Sequence, residues 1–294
     1  MGGLSCSQEG QAQDTQGRNT TVECLTDTLS CETLMLDSDP AAPPGTTEDA
    51  NAPEEIQTVY GCRHIRRKDL EIEEHDVLSG KTTGYLIEKF LGQGTFGKVA
   101  QCIRLDTKER MAVKIVRKDL AWAGETEVAM LKKLRQLDQD KNNLVRFFEH
   151  FKHRGYVCLA FEMLDISIYD FMKERSFKPL DLSEIRVITQ QMLVALNALK
   201  GIGLAHADIK LDNIMLVNHQ LQPFKLKLID FGLAVPVSKM WLGMQIQVLG
   251  YRAPEVILGL PLNEAADMWS LGCVLAFMYL GQHLYPIECE YEPV

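Results

Sequence analysis

Little periodic structure is visible in the first eighty residues. Apolar and polar positions begin to alternate from Tyr85. Tyr85–Leu91 reads as a strand, Lys98–Leu105 as a second, and Arg110–Val116 as a third after a turn at Asp106–Glu109. The period then lengthens. Glu127, Leu131 and Leu134 fall at i, i+4 and i+7, which predicts a helix over about Glu125–Leu137. A longer amphipathic helix is predicted from Ser183, as N-cap, to Lys200, with Ile185, Ile188, Met192, Leu196 and Leu199 as its stripe. Gly201 and Gly203 end it. Alternation returns over Phe224–Ile229, and a strongly apolar helix carries Asp267 beside Trp269.

Composition changes this picture in one respect. The chain has 294 residues, is 46% hydrophobic and 24% charged, and carries a formal charge of −9. That apolar fraction supports a packed core. Residues 1–58 hold eleven acids and one base, Arg18, so this segment stands at −10 and the remainder at +1. The acidic stretch is rich in Ser, Thr, Pro and Gly and is expected to be a disordered tail. Residues 59–84 read as a linker with a basic cluster at Arg63–Lys68. The acidic balance argues against a protein that works by gripping nucleic acid. The longest apolar run, Leu271–Leu280, is too short to span a bilayer, so no membrane contact is expected. No signal peptide opens the chain, and the start Met1–Cys6 places Cys6 where a myristoylation signal has Ser or Thr. The eight cysteines include no CxxC pair and are expected to be free thiols rather than zinc ligands.

The candidate chemistry lies in the body. Gly92-Gln93-Gly94-Thr95-Phe96-Gly97 stands between two strands, where backbone N–H groups can close over phosphates; a dinucleotide site would require a helix next. Ala112 and Lys114 share one face of the third strand. A small residue there lets a flat base lie on the sheet, and the lysine can reach phosphate oxygens. Glu127, on the apolar face of the next helix, either pairs with Lys114 or stays wet at the edge of the stripe. His206-Ala207-Asp208 is followed by Lys210 and, five residues after Asp208, by Asn213. Asp230-Phe231-Gly232 and Ala253-Pro254-Glu255 come later. Each motif alone is weak, whereas the ordered set points to phosphoryl transfer, which needs positioning and charge neutralisation. Asp208 is the candidate acceptor of a hydroxyl proton, Lys210 a γ-phosphate contact, and Asn213 and Asp230 offer oxygens to Mg2+.

With these residues the chain resembles the eukaryotic protein kinases, and more narrowly the homeodomain-interacting protein kinases, relatives of the dual-specificity tyrosine-regulated kinases. Alanine at 207 where most kinases have arginine, Asn213–Val217, Phe161–Leu164, Tyr169–Phe171, Tyr251–Pro261 and Asp267–Cys273 carry the narrower resemblance, which covers about Glu74 to Pro286. It implies an α+β, bilobal fold over 85–294: a small β-rich N-lobe (about 85–161), a hinge at 162–165 and a mainly helical partial C-lobe (166–294). It implies Phe161 as gatekeeper, hinge backbone at Glu162 and Leu164 against adenine, and Leu91, Val99, Ala112 and Met215 around the base. Gly92, Gly94 and Gly97 would cover the phosphates, with ATP and Mg2+ bound. It further implies serine or threonine followed by proline as the acceptor, nuclear transcription regulators among the protein substrates, and a nuclear or cytoplasmic setting.

Two departures from the family pattern set an alternative beside this. Gln245 stands where the family has its activation-segment tyrosine, and Lys239–Gly250 contains no Ser, Thr or Tyr, so Arg252 is expected to lack a phosphate partner. Tyr85 to Val294 is also only 210 residues, whereas further C-lobe helices follow the position of Pro286 in the family; this is expected to leave Glu255 without its arginine and to expose apolar surface around the Asp267 helix. The alternative is therefore a non-catalytic, kinase-like module that binds ATP or a partner.

Overall fold

The computed structural model describes residues 72–287. The expected tail, the basic cluster and five of the cysteines lie outside these residues. The ten strands are β1 (Val77–Ser79), β2 (Gly84–Gln93), β3 (Gly97–Arg104), β4 (Arg110–Val116), β5 (Phe147–His153), β6 (Tyr156–Glu162), β7 (Leu204–Ala205), β8 (Ile214–Asn218), β9 (Gln222–Leu228) and β10 (Val235–Pro236). The five α-helices are α1 (Ala121–Leu134), α2 (Ile168–Glu174), α3 (Leu182–Gly201), α4 (Pro254–Ile257) and α5 (Ala265–Leu280). β1–β6 form one antiparallel sheet in the order β1-β2-β3-β4-β6-β5, and β8–β9 and β7–β10 form two small pairs among the helices. The result is a bilobal α+β fold.

Alternation gives the sheet two different faces. Met111, Val113 and Ile115 of β4 point into a core with Ile87, Cys102, Phe151 and Cys158. Ala112 and Lys114 take the opposite face, where Val99 of β3 stands directly across from Lys114 and Phe161 of β6 across from Ala112. Gly97 is required where β3 begins. Its φ is +154°, and a Cβ there would lie 2.0 Å from the Ile115 carbonyl oxygen.

The sheet starts earlier than Tyr85. β1 pairs with β2 in the register Leu78↔Tyr85, and Ile72 and Leu78 are buried in the same core. A three-residue strand is too short for its period to show in sequence, so part of the expected linker at 59–84 belongs to the folded lobe. Helix α1 starts at Ala121 rather than Glu125, and Gly124 lies inside it because a Cβ would meet Val116 and Val157 at 3.1 Å. Asp181, not Ser183, precedes α3, and its N–H donates to the Glu184 carboxylate at 2.8 Å.

α1, α3, α5 and the loop strands share a second, larger core that includes Leu131, Ile188, Leu228, Phe231 and Val274. Cys102, Cys158 and Cys273 are buried free thiols, as expected for these three. Among the described residues no helix is long and apolar enough to cross a membrane. On α5, Met268, Tyr279 and Leu280 are exposed.

Candidate active site

The cleft lies between the Lys114 face of the sheet and the loops after α3. Lys114 Nζ sits 2.8 Å from Glu127 Oε2 and 2.9 Å from Asp230 Oδ1. Of the two readings of Glu127, the paired one holds: the residue is buried, its carboxylate aimed at the sheet. Burial alone would lower the lysine's pKa, but the Asp230 and Glu127 charges hold it above its ordinary range. Burial pushes the Glu127 carboxyl up against the pull of Lys114. For Asp230 burial is outweighed by Lys114 and the Gly232 N–H, which bring it down to about 2. Gly232 leaves room for this assembly, since a Cβ there would stand 3.2 Å from Asp230 Oδ1.

The loop from β7 to β8 is held from below by α5. Asp267 accepts the His206 N–H at 2.7 Å and the Ala207 N–H at 2.9 Å, the structural role its place in an apolar helix suggests. His206 Nε2 lies 2.9 Å from the Ile229 carbonyl oxygen, and its ring packs edge-on to Phe231 with centroids 4.9 Å apart. Ala207 and Asp230 both have positive φ, 64° and 58°, so two left-handed residues aim this loop and the start of the next.

Asp208 is buried, and burial raises its carboxyl to about 6 despite Lys210. Its Oδ2 accepts from Asn213 Nδ2 at 2.8 Å and lies 3.1 Å from Lys210 Nζ. Its Oδ1 is buried with no partner. A buried carboxylate oxygen kept free is suited to accept a proton from something that enters the site.

Asp230 uses Oδ1 for Lys114 and Gly232, and Asn213 uses its amide nitrogen for Asp208. Each therefore retains an oxygen of the hard type that Mg2+ prefers, and the donor set fits that ion. A Cβ at Gly92 or Gly94 would meet nothing within 4 Å, so the protein itself does not demand glycine there; a phosphate group against the backbone would. Phe161 is the penultimate residue of β6, Glu162 ends the strand, and the segment that follows reaches β8 through Asp165 N–H to Leu216 O at 3.0 Å. No hydrogen bond engages the Leu164 backbone among the described residues, which leaves its polar edge for a ligand. The structure thus places Leu91, Val99, Ala112 and Phe161 on the sheet side, and Met215, on β8, on the other.

Sequence reasoning missed two groups. Arg252, expected to be without a phosphate partner, is held by neighbouring oxygens instead. Its guanidinium donates to the Ile246 carbonyl at 3.1 Å and to the Gln247 carbonyl at 2.8 Å, with Gln245 Oε1 at 3.5 Å. Buried Gln247, at φ +69°, donates to Ala266 O (2.7 Å) and Ser270 Oγ (2.9 Å) and accepts the Ala253 N–H (2.9 Å). Hydrogen bonds from the Arg252 guanidinium and the Gln247 amide thus hold the segment that a phosphate orders in the family pattern. Its partners lie up to 23 residues away, so no local pattern marked Gln247. Gln247→Ala is expected to destabilise the protein by about 1–3 kcal/mol, because it strands the buried Ala253 N–H and removes the bonds to Ala266 O and Ser270 Oγ, which keeps its own bond to Tyr251 O. Thermal unfolding and limited proteolysis over Met240–Tyr251 check this: an unchanged Tm and cleavage pattern would contradict it. The other missed residue is Lys227, treated below.

A protein kinase domain family model matches residues 85–292. The chain is 47% identical over 228 residues to mouse homeodomain-interacting protein kinase 1, covering 77% of this chain and 19% of that protein. It is 48% identical over 212 residues to the Caenorhabditis elegans protein of the same name, covering 71% of this chain and 25% of that one. The chain therefore spans about a fifth to a quarter of the length of these relatives. The crystal structure of a kinase domain superimposes with a TM-score of 0.69 at 31% identity, covering 75% of this chain and 70% of that one.

Proposed function

The chain belongs to the protein kinase family, and from that premise we propose that it transfers the γ-phosphate of ATP to serine or threonine followed by proline. The observation that carries the reading is the assembled set Glu127–Lys114–Asp230, with Lys114 Nζ within 3 Å of both carboxylates. Pairing fixes the lysine between the sheet and the loop, where it meets phosphate oxygens. Adenine lies between Leu91, Val99 and Ala112 on one side and Met215 on the other. Phe161 stands behind the base, and the hinge backbone of Glu162 and Leu164 meets its polar edge. Backbone N–H groups of the Gly92, Gly94 and Gly97 loop close over the phosphates.

Asp208 orients the acceptor hydroxyl and takes its proton as the acceptor oxygen bonds to the γ-phosphorus. The bond from that phosphorus to the β–γ bridging oxygen breaks, and ADP leaves. Lys210 offsets charge on the transferred group. Asn213 and Asp230 would hold Mg2+, which would neutralise charge on the phosphate oxygens. No part of this centre is missing from the chain, which favours catalysis over the non-catalytic, kinase-like module.

Arg252 supports the proline preference. It takes up the Gln247 carbonyl, so that oxygen is not offered to the backbone N–H of the residue after the acceptor. Proline has no N–H to leave unpaired. The relatives are named for interaction with homeodomain proteins; nuclear transcription regulators as substrates, in the nucleus or cytoplasm, are the matching part of this proposal. The purified chain with Mg2+ and ATP is tested on two peptides that differ only as Ser-Pro and Ser-Ala. Transfer to Ser-Pro is expected at a kcat/KM about tenfold or more higher. Equal rates would overturn the proline preference, and no transfer to either would overturn the kinase reading.

A further inference from the structure

Lys227 is a buried charge that the mechanism above does not use. It is 3% exposed, on β9, between buried Leu226 and Leu228. Its Nζ lies 2.5 Å from Glu162 Oε1 and 2.6 Å from Asp140 Oδ1. The same Glu162 oxygen accepts the Arg146 N–H at 2.6 Å, and the Glu162 N–H donates to the Arg146 carbonyl at 3.1 Å. The Arg146 guanidinium completes the ring by pairing with Asp140. The hydrogen bond from Lys227 is the main influence holding the Asp140 carboxyl below its usual range.

Its location gives this network a consequence. Lys227 is the cross-strand partner of Met215, the floor of the proposed adenine site. Three residues further on is Asp230. Glu162 is the last residue of β6, where the proposed hinge begins. One ammonium therefore ties the back of the hinge to the strand that delivers Asp230. A buried ammonium is costly unless it is held in good geometry, so Lys227 has one arrangement rather than several.

We propose that Lys227 is a positioning residue for the nucleotide, fixing the distance between the hinge backbone and the Asp230 loop. This rests on the ATP reading above. The variants Lys227→Met and Asp140→Asn are compared with wild type. Asp140 is half exposed, so its variant keeps the fold even if Lys227→Met does not. Binding of a fluorescent ATP analogue with Mg2+ is measured first, then steady-state kinetics. Lys227→Met is expected to raise KM for ATP about tenfold, with kcat within about threefold and KM for peptide unchanged. Asp140→Asn, which removes one of two partners, is expected to raise it about threefold.

A lower Tm with unchanged nucleotide affinity would show a merely structural lysine and overturn the inference. So would unchanged affinity in Asp140→Asn if Lys227→Met fails to fold. A wild-type chain that binds no nucleotide would overturn the ATP reading and this inference with it; affinity unchanged in both variants against a binding wild type would overturn this inference alone.

Discussion

Asp208→Asn is expected to lower kcat about 100- to 10,000-fold while leaving KM for ATP within about threefold. The substitution keeps the shape of the side chain and its neighbours Asn213 and Lys210. It removes the basic oxygen, because Oδ1, the one atom of this group without a partner, ceases to be part of a carboxylate. Asp208 lies in the loop away from the adenine pocket, so nucleotide affinity should barely move. A kcat within tenfold of wild type would show that the acceptor proton goes elsewhere.

Lys114→Met is expected to act on both binding and stability. It takes the cation from between two carboxylates, each within 3 Å of it. Buried Glu127 is then left without its cation, facing the partly exposed Asp230 carboxylate, a change of about 3–5 kcal/mol for a broken buried pair. The apparent Tm should fall by about 6–20 °C for a domain of this size. Phosphate contact is lost with the ammonium, so kcat/KM should fall about 100- to 1,000-fold. Glu127→Gln separates the two effects. Lys114 keeps Asp230 as a partner, so the Tm should drop less, while a less firmly held lysine should still cost about tenfold in kcat/KM. Equal activity in wild type and Glu127→Gln would mean that the ion pair does not position the lysine.

How much of this was legible depended on the reach of each interaction. Strand β4 matches its expected span, Arg110–Val116, because alternation over seven residues is a strong local signal. Lys114 and Glu127 stood out as charges in apolar stripes, and each such charge requires a partner. Asp267 was readable on the same ground. The three-residue β1 carried too few positions for a period to show. Gly124 reads as a helix breaker in isolation but is dictated by the approach of α1 to Val116 and Val157. Lys227 did carry a signal, a lysine inside the Phe224–Ile229 alternation, yet its partners Glu162 and Asp140 are 65 and 87 residues away. Gln247 carried none. A neutral amide in a loop announces neither burial nor positive φ, and the bonds that replace an ordering phosphate become visible only when α5 is in place.

The most direct test of the central claim, an assembled and competent phosphoryl-transfer centre, is the rate of γ-phosphate transfer from ATP to the Ser-Pro peptide, measured beside Asp208→Asn. The expected result is a Mg2+-dependent kcat of about 1–100 s⁻¹ for the wild-type chain, lost in the variant. A wild-type rate indistinguishable from that of Asp208→Asn would contradict it.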